Sequence, residues 1–300
     1  MKIRANDTEL EYEVGGPENG TPFLFINGFG TQMTSWPQAF WDELAKAGFR
    51  VIRFDNRDVG LSQKWDGIVP DIREAMKTAR AGGKPDVPYT LNEMAADAAG
   101  LLDALGVKSA HISGASMGGM IAQLVALNHP EKARSLISIF STTSDPSLPP
   151  SSKEAAEALT ARPASNDRET VVAHSVKNRR AYASTAWPFD EEHWKGVAGR
   201  AYDRAFYPEG TIRQYAAIMA SPPRTERLKS LKLPTLVLHG SVDTLIRPAA
   251  GRHTADCIAG SEFHEIEGWG HDMPPQAIPM VTGLIVPFVE KVEAKRKAAA

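Results

Sequence analysis

Cysteine is all but absent: Cys257 is the only one in 300 residues. No disulfide can close within the chain and no thiolate cluster can hold a metal, which suits a reducing compartment. Long hydrophobic runs are missing too. A membrane-spanning helix needs about 18 or more apolar residues, whereas the longest candidate, residues 277–289, is interrupted by Pro279 and Pro287. The opening Met1-Lys2-Ile3-Arg4-Ala5-Asn6-Asp7 lacks the apolar core of a secretory signal. These absences predict a cytoplasmic protein without a membrane partner. Net charge is small, 34 basic against 36 acidic residues giving −2 at pH 7, so no long-range field draws the chain to nucleic acid. Neither H-E-x-x-H, nor a clustered His/Cys spacing, nor G-x-x-x-x-G-K-[ST] occurs, and no metal or nucleotide cofactor is expected.

What is present is apolar and periodic. Hydrophobic residues make up 42% of a length that allows one large domain or two small ones. Residues 3–14 alternate loosely and end at Gly15-Gly16-Pro17, which predicts an opening antiparallel pair. Short continuous apolar runs follow: Phe23-Leu24-Phe25-Ile26, Val51-Ile52-Arg53-Phe54, Ala110-His111-Ile112, Leu136-Ile137-Ser138-Ile139-Phe140 and Leu236-Val237-Leu238. Strands of a parallel sheet, buried on both faces, read this way. Helical segments lie between them: 40–47, closed by Gly48; 91–105, closed by Gly106; and 120–127, stopped by Pro130. Alternating strand and helix predicts an α/β doubly wound sheet.

One stretch breaks the alternation. Residues 141–230 hold prolines, charges and helix-prone pieces but no apolar strand. The division expected is a core of 1–140 and 231–300, with 141–230 inserted as a helical cap over the sheet's carboxyl edge. The insertion's aromatics Trp187, Phe189, Trp194, Tyr202, Phe206 and Tyr207 either wall a pocket or form its own core. Trp187, Phe189, Tyr207 and, beside the last loop, Trp269 are the candidate pocket residues. A shorter excursion, 63–89, carries Gly82-Gly83-Lys84-Pro85 and reads as a mobile loop region.

The chemistry centres on Gly114-Ala115-Ser116-Met117-Gly118, which sits where a strand-like run turns into a helix-like one. In that context G-x-S-x-G marks a nucleophile elbow. A serine hydroxyl needs a base to take its proton and a carboxylate to orient that base. Asp243, in His239-Gly240-Ser241-Val242-Asp243, follows a strand and so stands at the carboxyl edge, where open α/β sheets place their sites. Asp145, after the strand that ends near Phe140, is the competing acid, though with Pro146 it reads as a turn. His271, in Gly268-Trp269-Gly270-His271-Asp272, is the one histidine of eight in a glycine-flanked loop behind both. His111, His239 and His264 fall in or beside strands, and His129 at a helix end. Two backbone N–H groups are needed for a developing oxyanion: Met117, after the serine, and Phe29, in Asn27-Gly28-Phe29-Gly30. The latter Gly-x-Gly also opens a dinucleotide fingerprint, but Met33 occupies the third glycine's place and no helix follows at once.

These pieces, with Asp55-Asn56-Arg57-Asp58-Val59-Gly60-Leu61-Ser62, resemble the α/β-hydrolase superfamily over essentially the whole chain. Within it the chain is similar to the cofactor-free serine esterases that include the aclacinomycin methylesterases. That likeness rests on Arg57-Asp58-x-Gly60-x-Ser62, the elbow running into Gly119-Met120-Ile121, Trp187-Pro188-Phe189-Asp190, and Ser221-Pro222-Pro223-Arg224. The resemblance implies an α/β-hydrolase fold: a mostly parallel, eight-stranded, doubly wound sheet with a helical cap after the sixth strand. It also implies the order Ser116, Asp243, His271 for a catalytic triad, no cofactor, and hydrolysis of a small-molecule carboxylic ester with an apolar portion. Haloalkane dehalogenases and epoxide hydrolases carry aspartate at the elbow, so Ser116 sets the chain apart from them. Many members have histidine where this chain has Asn27, which predicts altered loop packing rather than lost chemistry. A lactonase, a perhydrolase or a carbon–carbon bond hydrolase would use the same residues, and a non-catalytic small-ligand-binding protein would share the fold.

Overall fold

Asn6 and Asp7 sit at φ 46° and 60°, the two positive values that a two-residue hairpin turn needs, and short polar side chains tolerate them. This turn joins β1 (Lys2–Ala5) to β2 (Thr8–Gly15), antiparallel, as the alternation of residues 3–14 predicts. A computed structural model describes residues 1–299. The later strands are β3 (Thr21–Ile26), β4 (Phe49–Phe54), β5 (Ala110–Ala115), β6 (Ala133–Ile139), β7 (Thr235–Gly240) and β8 (Glu262–Ile266). All eight form one sheet in the order β1-β2-β4-β3-β5-β6-β7-β8. β2 runs against both neighbours, and every other pair is parallel.

The helices are α1 (Gln38–Lys46), α2 (Ile72–Arg80), α3 (Leu91–Ala104), α4 (Met117–Asn128), α5 (Lys153–Thr160), α6 (Arg168–Arg180), α7 (Glu191–Arg204), α8 (Glu209–Met219), α9 (Thr225–Lys229), α10 (Pro248–Cys257) and α11 (Ile278–Ala298). Strand β3 shows why its run is apolar throughout. Phe23 and Phe25 face α1 and α11 among Trp36, Phe40, Trp41 and Phe49, while Leu24 and Ile26 face α3 and α4 among Leu101, Ile121 and Val125. A strand whose side chains alternate between two covered faces has no position left for a polar residue. Among the described residues no helix is long and apolar enough to cross a membrane.

Two details set the stage for the site. From β3 the chain passes to β4 on one side and then to β5 on the other, so the strand order reverses at β3, and crevices form at the carboxyl ends of such switch points. Five helices, α5 to α9, separate β6 from β7. Residues 63–89, expected as a mobile loop, instead contain α2, whose first turn is capped by Asp71 accepting from the Arg73 and Glu74 N–H groups. The helical period is present, with Ile72, Ala75, Met76 and Ala79 at i, i+3, i+4 and i+7, but only Ala75 is fully buried, and the prolines and glycines on either side outweigh so short a stripe. It packs against α8.

Candidate active site

Ser116 sits between the last residue of β5 and the first of α4 with φ 57° and ψ −122°, a left-handed backbone that a non-glycine residue holds only when its surroundings impose it. The surroundings here are glycines. A Cβ on Gly114 would lie 2.1 Å from the Gly118 carbonyl oxygen, and one on Gly118 would lie 2.0 Å from that of Ile26. Neither side chain fits, so the turn closes tightly on itself and on the end of β3. The Ser116 N–H donates to the Ile139 carbonyl at 3.0 Å, and the Ser141 hydroxyl donates to the Ser116 carbonyl at 2.7 Å. The elbow is thus tied to the end of β6 by its N–H and to the loop just after β6 by its carbonyl.

Asp243 follows β7 and is buried. One carboxylate oxygen accepts from the Leu245 and Ile246 N–H groups at 2.9 Å each, and the other meets His271 Nδ1 at 2.6 Å. Burial alone would raise its pKa, but His271 and His239, through charge and hydrogen bonds, hold the carboxyl below the usual carboxylate range. His271 follows β8; its N–H donates to the Tyr182 carbonyl at 2.7 Å, and its ring lies 4.5 Å from that of Phe140. With Nδ1 engaged by Asp243, Nε2 is the nitrogen left for a reacting group. Asp145 is occupied elsewhere: its carboxylate accepts from Ser147 Oγ at 2.6 Å and from Thr225 Oγ1 at 2.7 Å, holding the start of α9.

The loop after β3 reaches the same place. Its turn is closed by the Thr31 N–H donating to the Gly28 carbonyl at 3.3 Å, with Gly30 at φ 64°, and a Cβ on Gly28 would lie 3.4 Å from Ser116 Cβ. Among the described residues the Phe29 N–H donates to nothing. Met117 opens α4, and the first N–H groups of a helix lack intrahelical partners. Asn27 is buried, its side chain donating to the Phe54 carbonyl at 3.2 Å while its own carbonyl accepts from Asn56 at 3.0 Å. That residue therefore fastens β3 to the loop after β4.

Ser116 and His271 line one cavity of about 100 Å³, together with Gly28, Phe29, Trp36, Phe140, Arg179, Tyr182, Trp194, Leu245 and Met273. None of the four candidate pocket residues is in its wall. Trp269 is buried beneath Phe140, its indole N–H donating to the Asp272 carbonyl at 2.7 Å, because its bulk turns into the core rather than toward the serine. Trp187 and Phe189 line a separate recess of about 10 Å³ that shares Trp194 and Asp272 with the cavity. Tyr207 belongs to a larger neighbouring cavity of about 430 Å³ between the inserted helices and the β3 loop, and its hydroxyl donates to Asp66 at 2.6 Å. Phe29 and Leu159 line both the large cavity and the one at Ser116. The residues that sequence reasoning passed over, Arg179 and Tyr182, come from the end of α6, where no motif marks them; their role follows from the Tyr182 carbonyl and Ser184 being stitched to the His271 loop.

The Asp55–Ser62 turn has a structural use. Arg57 pairs with Asp97 of α3 at 2.7 Å, Asp55 with Arg204 of α7 at 2.7 Å, and Asp58 with Arg213 of α8 at 2.8 Å. Each charge of the turn fastens one helix to the sheet edge.

The sheet order and a strained serine between strand and helix define a hydrolase-type architecture. A sequence model of the α/β-hydrolase fold matches residues 21–276, and the chain belongs to that family. Rhodomycin D methylesterase DauP of Streptomyces sp. (strain C5) is 30% identical over 297 residues, covering 91% of this chain and 92% of that protein. 3-Oxoadipate enol-lactonase 1 of Acinetobacter baylyi is 25% identical over 284 residues, covering 92% of each. Among solved structures, a thermophilic esterase from Thermogutta terrifontis superimposes with a TM-score of 0.71 at 27% identity, over 97% of this chain and 98% of that one.

Proposed function

We propose that this chain is a serine hydrolase of carboxylic esters working through an acyl-enzyme. Ser116 Oγ attacks the ester carbonyl while His271 Nε2 takes its proton, and the ionised Asp243 holds the imidazole in place and stabilises its positive charge. The Phe29 and Met117 N–H groups receive the oxyanion. Collapse of the tetrahedral intermediate expels the alcohol, protonated by His271; water then enters, gives its proton to His271, and releases the acid and Ser116. Residues 141–230 act as the cap, and the apolar lining from Trp36, Phe140, Tyr182, Trp194, Leu245 and Met273 favours an ester with an apolar portion.

The observation that carries the reading is the strained Ser116 sharing a cavity with a histidine whose Nδ1 lies 2.6 Å from a buried carboxylate. The likeness to a methylesterase and an enol-lactonase supports acyl chemistry. The test is turnover of a panel of chromogenic short-acyl esters and labelling by a fluorophosphonate, on the wild type and Ser116→Ala. Wild-type turnover and labelling, both abolished in the variant, are expected; a wild type that neither turns over nor labels at Ser116 would sink the proposal.

A further inference from the structure

A glycine-flanked loop is soft by itself, yet an oxyanion donor must be aimed to within a fraction of an ångström. What aims the β3 loop is the inserted helix α8. Thr211, Gln214 and Tyr215 share one face of that helix by their i, i+3, i+4 spacing, and all three meet the loop. The Gly30 N–H donates to Gln214 Oε1 at 2.9 Å, and Gln214 Nε2 donates to the Arg57 carbonyl at 2.8 Å. A Cβ on Gly30 would lie 3.2 Å from Thr211 Cγ2, and the Phe29 and Tyr215 rings stand 6.1 Å apart. Gln214 is fully buried, and its bond to the Arg57 carbonyl is closed to water.

The loop's next residues are gripped by α7. Gln32 Nε2 donates to the Ala201 and Ala205 carbonyls at 2.7 and 2.8 Å, while Arg204 donates to Gln32 Oε1 and to Asp55 at 2.7 Å each. The Met33 N–H donates to Asp55 at 2.8 Å. Beside these grips the Phe29 N–H, next to the gripped Gly30, has no partner among the described residues.

We infer that Gln214 is a positioning residue for the oxyanion hole, engaging the Gly30 N–H so that the loop presents the Phe29 N–H to the reacting carbonyl beside that of Met117, and coupling the hole to the helices above it. The inference rests on the proposed roles of Ser116 and Phe29. Without the Gln214 amide, a half-buried N–H and a buried carbonyl lose their partners, and the loop shifts to find others.

Three substitutions test this. Gln214→Met keeps the volume and loses both bonds. Gln214→Asn is one methylene too short to span both partners and stays informative if the methionine variant fails to fold. Gln214→Glu restores an acceptor for the Gly30 N–H. With a chromogenic short-acyl ester, the first two are expected to lose about 10- to 100-fold in kcat, the scale of a 1 Å misplacement, with KM changed less than about threefold. Affinity for a trifluoromethyl ketone, whose hemiketal places an oxyanion in the hole, should fall by the same factor, while affinity for the matching alcohol should not move. The glutamate variant, which accepts from the Gly30 N–H but cannot donate to the Arg57 carbonyl, should recover part of the loss in both. Variants that melt at lower temperature but keep kcat and ketone affinity would overturn the inference and leave Gln214 merely structural. Fluorophosphonate labelling of the wild type separates the two questions. A wild type that does not label or turn over refutes the esterase reading and this role with it, whereas an active wild type with unchanged variants refutes the role alone.

Discussion

Asp243 and Asp145 are both carboxylates placed just beyond the end of a sheet strand, and only their partners tell them apart. Asp243 meets His271 Nδ1, and Asp145 meets Ser147 and Thr225. Asp243→Asn should therefore lower kcat by about 10³- to 10⁴-fold, the cost of the wrong imidazole tautomer, while Asp145→Asn should stay within about fivefold in the same ester assay. The reverse order would move the acid to the end of β6. His111 offers a different test. It is fully buried in β5 between Ser135 and Glu293, and burial pushes its imidazole down to about 4, with Glu293 pulling the other way. Below the ordinary value of 6.5 the unfolded chain takes up a proton that the native fold refuses, so stability present at neutral pH is lost as the pH falls from there toward the native pKa. Urea unfolding should show a loss of about 2 kcal/mol between about pH 7.5 and about pH 5 from this group, and His111→Leu should flatten that part of the profile. At this scale Ser116, Asp243 and His271 were legible because each carries a local signature of glycines or of a strand end. Gln214 and Arg179 were not, since a single polar residue on a helix has meaning only through what the fold places beside it.

At the scale of elements, the elbow is a steric device. Gly118→Ala would set a methyl group 2.0 Å from the Ile26 carbonyl oxygen, and backbone on both sides leaves nothing flexible to yield. The variant should lose about 3 kcal/mol or more, at the top of the range for overpacking, and a melting curve indistinguishable from the wild type would refute the tight contact between α4 and β3. Buried strands and their covering helices announce themselves through apolar runs and closing glycines, which is why β3 to β7, α1, α3 and α4 could be read from the chain. α2 was passed over although Ile72, Ala75, Met76 and Ala79 share one face, because that two-turn stripe lies among prolines and glycines and packs on α8 rather than on the sheet. The periodicity argument is strongest for long stripes buried against the sheet and weak for a two-turn helix set among turn-forming residues.

For the whole molecule, the inserted helices are fastened along two lines. One runs through Arg204, Arg213 and Gln214 to the turn after β4 and the loop after β3; the other joins residues 182–186 to the His271 loop through the Tyr182 carbonyl, Ser184 and the Thr185 and Ala186 N–H groups. Arg213→Met leaves the buried Asp58 with Tyr89 but without its cation, and stability should fall by about 3 kcal/mol or more. Proteolysis should then begin within residues 63–89, whose α2 loses its footing on α8; cleavage confined to the chain termini would show that α2 stands without it. Cys257, the lone thiol, has a further use. It lies buried at the end of α10, and burial pushes its pKa up, so at neutral pH it is hidden and protonated and reacts poorly with thiol-specific dyes. A single cysteine placed on the exposed flank of α5, by Glu157→Cys, would then take a fluorophore at one site without prior removal of the native residue, and movement of the inserted helices over Ser116 would become visible as a change in its emission.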